Sequence, residues 1–383
     1  MQDVVKLVVN GLELQTFEGF ELKNSISSAT TDFSFTYAPK SKIINGQYVL
    51  IDLIKPQDPV FVFINDIKYL TGYIVSTEWS ESANSDLITV QGMDAVSYCL
   101  LRHNPRPKTY KIKDFTELVR TAVEDNGFAD IIAVQNITFK ALPIDTQEQI
   151  QIEDGETLFN FFDRYAKKAQ VLLNTTGTGE LIIYREGDLG TLNGKFPNKP
   201  KAGVSLINDV IDKRKTNMLS STFSYSVLNR FQVVEIYSQS GNANHNVKNA
   251  NPKSIAKDEQ IIIENRLRVG ANNPTNSTTL EEMAKWNVNI RRSQSVNYSC
   301  TVQGFSFSPT NKDFWKINTY VEVLDNKKGF NGEFLIDSVV FTKDTNGTTT
   351  QLNLVNKGTY TLDIKQALTK ARVNNFGNQF QSV

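Results

Sequence analysis

The chain is poor in the residues that do chemistry. Its 383 residues include two cysteines and two histidines. Cys99 and Cys300 lie far apart in apolar contexts, which predicts buried thiols and gives no disulfide framework. Synthesis in a reducing compartment is therefore expected. His103 sits beside prolines and His245 in an Asn-rich stretch, and neither has a metal-ligand or triad partner at a recognised spacing. Cys-x-x-Cys, His-Glu-x-x-His and Gly-x-Ser-x-Gly are all missing. An excess of charge of one sign is missing too: Lys and Arg number 41, as do Asp and Glu. No global field then draws the chain to nucleic acid or an acidic membrane. No run approaches the ~18 apolar residues of a membrane span. The opening MQDVVKLVVNG lacks a signal-peptide pattern and reads as a strand.

The chemistry that remains has structural readings. Glu153–Asp154 and Glu281–Glu282 fall at expected helix starts, where negative charge suits the helix dipole. Gly177-Thr178-Gly179 lacks the Lys-Ser/Thr ending of a phosphate loop and leads into a strand, so it reads as a hairpin turn. Arg291–Arg292 closes a helix. No catalytic residue, cofactor or metal is expected. A structural or interaction protein is favoured over the other class considered, a cell-wall polysaccharide hydrolase with β-rich binding modules.

What is present is a duplicated strand pattern. DFSFTYAP (32–39), YVLIDL (48–53), TGYIVSTEW (71–79) and LITVQG (87–92) follow one another near the start. NYSCTVQG (297–304), TYVEVLD (319–325), GEFLIDSVVF (332–341) and TTQLNLV (349–355) do so near the end. Each set has a long strand with an Ile-x-Ser step, Ile74–Ser76 and Ile336–Ser338. Each has an aromatic near that strand's end, Trp79 and Phe341, and a polar hairpin after it.

The fold class expected is mainly β: two similar small β-barrels in tandem plus a helix-containing α+β insert. Residues 1–104 form the first barrel. Asn10-Gly11 and Asn65-Asp66 mark its tight hairpins. Residues 105–200 form the insert. There Asp114 and Asp154 are candidate helix caps, and Leu158, Phe161, Phe162 and Tyr165 share one helical face. Residues 201–240 and 294–357 form the second barrel, with 218–239 read as a strand pair. A loop and helix insertion, 241–293, interrupts it. It carries an expected strand at 259–269 and a capping box, Thr278-x-x-Glu281. A C-terminal helix and tail occupy 358–383. Alternation assigns the first core to Phe33, Phe35, Val49, Ile51, Ile74, Trp79, Ile88 and Val90. It assigns the second to Tyr298, Val302, Val321, Val323, Leu335, Ile336, Phe341 and Leu354.

Three segments in order carry a family likeness. They are YLTGYIVSTEWSESANSDLITVQGMDAVSYCL (69–100), GETLFNFFDRYAKKAQVLLNTTGTGELIIYREG (155–187) and FWKINTYVEVLDNKKGFNGEFLIDSVVFTKDTNGTTTQLNLV (314–355). With them the chain resembles the baseplate central hub proteins of Mu-like contractile phage tails, the late control or tail hub family. The Asn-rich loop 240–252 departs from that pattern. The resemblance implies a homotrimer whose barrels alternate into a pseudo-hexameric ring. That ring would join the hexameric tail tube protein to the trimeric central spike protein, with tape measure and baseplate wedge proteins as further partners. It implies a virion part made in the bacterial host cytoplasm, with no catalytic residues, no nucleic-acid specificity and no membrane span. Trp315 and the 361–383 tail are the candidate partner contacts. The equivalent hub of a phage-tail-like bacteriocin would read the same way.

Overall fold

The computed structural model describes residues 3–360 apart from 15–16, 27, 29, 45–46, 51–53, 83–84, 139–140, 145–149, 170, 187–201, 210, 239–252, 272–276 and 308–312. Left-handed residues at Asn10 (φ 47°) and Gly11 (φ 80°) turn β1 (Val5–Val9) tightly into β2 (Leu12–Leu14), the geometry that matches strand twist. Then come β3 (Gly19–Ser25), β4 (Thr31–Tyr37), the hairpin of β5 (Ser41–Ile44) and β6 (Gln47–Leu50), and β7 (Pro59–Ile64). A second left-handed pair, Asn65 and Asp66, leads into β8 (Ile67–Ser82). β9 (Ser85–Asp94) runs into α1 (Ala95–Arg102). Asp94 caps that helix, accepting from Val96 and Ser97 N–H at 3.0 Å each, and also accepts from Thr31 N–H of β4 at 3.1 Å.

The α+β insert contains β10 (Thr109–Tyr110), α2 (Phe115–Asp125), β11 (Ala133–Asn136), β12 (Ile150–Gln151), α3 (Leu158–Ala169), β13 (Leu172–Thr175) and β14 (Glu180–Tyr184). Asp114 caps α2 as expected. Asp154 does not cap α3. Gly155 (φ 77°) bends the chain first, and Thr157 accepts from Asn160 N–H at 3.2 Å. Leu158, Phe161, Phe162 and Tyr165 are buried, and with α1 and α2 they build a core separate from that of the main sheet.

The second half begins with β15 (Leu206–Asn208) and β16 (Met218–Tyr225). The expected pairing within 218–239 does not occur. β16 pairs with β20, whereas β17 (Val233–Ser238) lies between β18 (Lys253–Lys257) and β19 (Arg266–Ala271) in a small separate sheet. The chain leaves the main sheet at Arg230, which is buried against Asp258 with two 2.9 Å hydrogen bonds. The expected strand at 259–269 shrinks to its end, because Asn265 is tied to Gln232 N–H (2.7 Å) and to Arg230 O (2.9 Å) and holds 259–265 as a loop. Helix α4 (Ser277–Gln294) covers the small sheet with Leu280, Ala284 and Val288. It starts at Ser277, so Thr278 lies inside it rather than at its cap. The chain then returns through β20 (Val296–Gln303), β21 (Tyr320–Asp325), β22 (Phe330–Asp344) and β23 (Gly347–Asn356).

The two halves form one 13-stranded sheet. Its order is β16-β20-β23-β22-β3-β4-β9-β8-β7-β1-β2, with β21 paired to β22 and β15 to β21. Phe33, Phe35, Ile74, Ile88 and Val90 are buried, as are Tyr298, Val302, Val321, Val323, Leu335, Ile336, Phe341 and Leu354. Both sets belong to a single apolar core. The strand of Val49 is described but its side chain is not, and Ile51 lies outside the described residues.

Candidate functional site

The arrangement with functional content is the way the two halves meet. In sheet order the first half reads β3-β4-β9-β8-β7 and the second β16-β20-β23-β22-β21. The correspondence extends to single residues. A bulge interrupts β8 between Ile74 and Ser76, and another interrupts β22 between Ile336 and Ser338. Beyond the bulges Ser76 faces Gln91 and Ser338 faces Asn353. At the far end Glu81 faces Asp86 and Lys343 faces Thr348. The Ile-x-Ser step of the sequence is thus the bulge itself, one extra residue that bends the strand.

Past its bulge, β22 keeps β23 on one edge and on the other pairs antiparallel with β3 of the first half. The register runs from Ser338 opposite Ser25 to Lys343 opposite Phe20, with Phe341 opposite Leu22. Both of the latter side chains are buried. This seam gives the edge of β3 its hydrogen bonds and closes an apolar core across the two halves.

The insert clamps the seam. Asn174 donates to Ser25 O at 2.9 Å, and Gly177 O accepts from Thr71 N–H at 2.8 Å, both in the first half. The carboxylate of Glu186 accepts from Tyr320 Oη at 3.0 Å and from Gly358 and Tyr360 N–H at 2.6 and 2.8 Å, all in the second. Burial raises the pKa of Glu186, against the lowering effect of those donors.

Two sequence expectations need correction. Trp79 is not in the first core and is 48 % exposed. Past the bulge, β8 runs beyond the body of its half, and among the described residues Thr77–Glu81 pair only with β9. Trp315 is not a surface contact. It is 3 % exposed, belongs to the main core, and packs against Phe307 at 5.1 Å. The 361–383 tail and the Asn-rich loop 240–252 lie outside the described residues. Sequence reading missed the exposed aliphatic tips Leu228, Ile262 and Ile263. They stand on loops joined by the Arg230–Asp258 pair, and an isolated apolar run read as strand concealed them.

Among the described residues, no group of three or more His, Cys, Asp and Glu is placed to hold a metal ion, and no helix is long and apolar enough to cross a membrane. An open depression of about 270 Å³ lies over β3, β4 and β9, lined by Glu21, Lys23, Asp32 and Gln91. Burial raises the pKa of Asp32 there, while Thr30 and Lys23 lower it.

This geometry defines a duplicated, seam-joined β fold with an α+β clamp. The same fold occurs in phage tail proteins. The chain is similar to the 43 kDa tail protein of prophage MuSo2 from Shewanella oneidensis, with TM-score 0.74 and 23 % identity over 92 % of this chain and 98 % of that one. It is similar to a tail protein from Neisseria meningitidis MC58, with TM-score 0.72 and 20 % identity over 95 % and 99 %. It is more distantly similar to the E. coli c3393 protein, with TM-score 0.51 and 9 % identity over 91 % and 76 %. That protein is described as a component of the type VI secretion system with structural similarity to the T4 tail proteins gp27 and gp5. No protein-family model and no curated protein matches the sequence. At these identities the likeness establishes the fold, which is that of prophage tail proteins.

Proposed function

We propose that this protein is the structural baseplate hub of a contractile phage tail. Three copies form a ring of six near-equivalent halves. One side of the ring seats the hexameric tail tube and the other carries the trimeric central spike. The observation that carries this reading is the internal seam: each chain already holds two matching halves side by side through β22 and β3. A threefold set of such pairs presents six similar modules, which a joint between sixfold and threefold partners requires. The fold shared with prophage tail proteins supports the same role.

The hub acts by holding shape under load rather than by chemistry. Backbone pairing along a seam is directional, and burial of Phe341 and Leu22 adds roughly 1.5–3 kcal/mol for each side chain. Its partners are further copies of itself, the tube protein and the spike protein, with tape measure and baseplate wedge proteins as further partners. Its place is the tail baseplate of the virion, after synthesis in the host cytoplasm. The likeness to c3393 favours one second reading, the equivalent hub of a tail-like injection machine.

Electron microscopy of the purified protein tests the proposal. Averages viewed down the particle axis should show six lobes with threefold symmetry. Particles with two lobes at every concentration, or rings of any other multiplicity, would refute it.

A further inference from the structure

The seam inside the chain also specifies a seam between chains. β8 corresponds to β22, and β16 corresponds to β3. The second match follows from pairing, since Gly19 of β3 faces Thr36 of β4 whereas Ser220 of β16 faces Thr301 of β20. Thr36 and Thr301 are equivalent, because their partners on the other side, Thr89 and Gln351, face the equivalent residues Glu78 and Val340. The two strands that make the internal seam therefore each have a counterpart. Among the described residues those counterparts sit at open edges: past its bulge β8 pairs only with β9, and β16 ends the sheet path beyond β20.

We propose that β8 of one copy pairs antiparallel with β16 of a second copy, in the register of the internal seam. Phe341 opposite Leu22 becomes Trp79 opposite the partner's Phe223. Val340 opposite Lys23 becomes Glu78 opposite the partner's Ser224, and Val339 opposite Asn24 becomes Thr77 opposite the partner's Tyr225. This deepens the hub reading and rests on it.

The side chains support a second copy as the occupant. Trp79 is half-exposed on an otherwise polar strand end, whereas its counterpart Phe341 is fully buried. Phe223 is half-buried on the main core and packs against Phe330 at 5.2 Å, so an arriving indole extends an existing aromatic cluster. Tyr225 is 56 % exposed. A strand edge carrying a bare aromatic invites pairing and is rarely left open. The contact is heterologous, one edge to a different edge, and such contacts generate a ring when the rotation closes. In a ring of three, internal and intermolecular seams alternate around six halves.

Cysteine pairing tests the register. Residues directly opposite in an antiparallel pair lie ~4.5–5.5 Å apart at Cα, within disulfide reach. A chain carrying Glu78→Cys and Ser224→Cys should oxidise to a covalent trimer that reductant returns to single chains. Native Cys99 and Cys300 should not compete, since burial pushes their thiols up to about 11 and about 12. Glu78→Cys with Ser220→Cys, four residues out of register, should give no covalent trimer. Trp79→Ala should weaken the trimer roughly 100-fold, as loss of a central aromatic contact does, with the circular dichroism of the monomer unchanged. A native trimer by mass that fails to cross-link at 78/224, or that cross-links at 78/220 instead, overturns the register and leaves the hub reading standing. A chain that stays monomeric overturns both.

Discussion

The carboxylate of Asp3 accepts a hydrogen bond from the backbone N–H of Phe305 at 2.7 Å, 302 positions further along the chain. The same oxygen accepts from Thr348 Oγ1 at 3.2 Å, and the other accepts from Asn65 Nδ2 at 2.8 Å. One buried side chain thus ties the start of the first half to the second half near the end of the seam. Asp3→Ala leaves the Phe305 N–H buried without its acceptor and should cost about 1–3 kcal/mol. Asp3→Asn keeps an acceptor and should cost less. Urea denaturation of the two variants against the parent measures both.

Gly92 follows from its neighbour. A Cβ placed there would lie 2.2 Å from Cζ of Phe33 and 2.7 Å from the Tyr73 carbonyl oxygen. Gly92→Ala should destabilise the first half by about 1–3 kcal/mol, the range for overpacking. Adding Phe33→Leu should recover part of that loss, because the two changes act at one contact. Thermal melts of the single and double variants give the answer, and strictly additive losses would show that the ring is not the obstacle.

Asp258 joins the loop after β16 to the small sheet and to α4. It accepts from Arg230 and, at 2.7 Å, from Arg292. Burial raises its pKa, but the hydrogen bonds and charges of Arg292 and Arg230 outweigh burial and hold the carboxyl below its ordinary 3.8. A carboxyl held lower in the folded chain contributes stability above its unfolded pKa and loses it as pH falls through the lower folded value. Asp258→Asn should therefore be destabilising by about 3–5 kcal/mol at pH 7, the cost of stranding buried cations. The gap between parent and variant should narrow only below about pH 4. Denaturation at several pH values tests this, and a gap that narrowed near neutrality would contradict it.

The clamp on the seam depends on Glu186. Glu186→Ala removes the acceptor for two backbone N–H groups and the Tyr320 hydroxyl. Protease cutting at Lys357, beside the released Gly358, should become faster, while the insert core of α1, α2 and α3 stays protected. Limited proteolysis with mass spectrometry of the fragments reads both regions separately.

Much of this architecture is written in local pattern. The Asn10-Gly11 and Asn65-Asp66 turns, the Asp114 cap and the buried alternation of Phe33, Phe35 and Tyr37 are short-range signals, and the duplicated Ile-x-Ser step is visible by eye. What was not legible depends on distant partners. Trp79 and Phe341 have the same local pattern, yet one is exposed and the other buried, because among the described residues β22 meets a strand of the other half and the end of β8 does not. Strand β17 looks like a partner for β16 until Arg230 finds Asp258, 28 residues away. Trp315 reads as a candidate partner contact, and only the fold brings Phe307 onto it.

The central claim is that three copies of a doubled half imitate a ring of six. Light scattering of the purified chain across micromolar concentrations measures it most directly. The account predicts a species near 129 kDa, three times the 43.1 kDa chain, that is lost on replacing Trp79. A stable 43.1 kDa monomer at every concentration, with or without a spike partner, would contradict it.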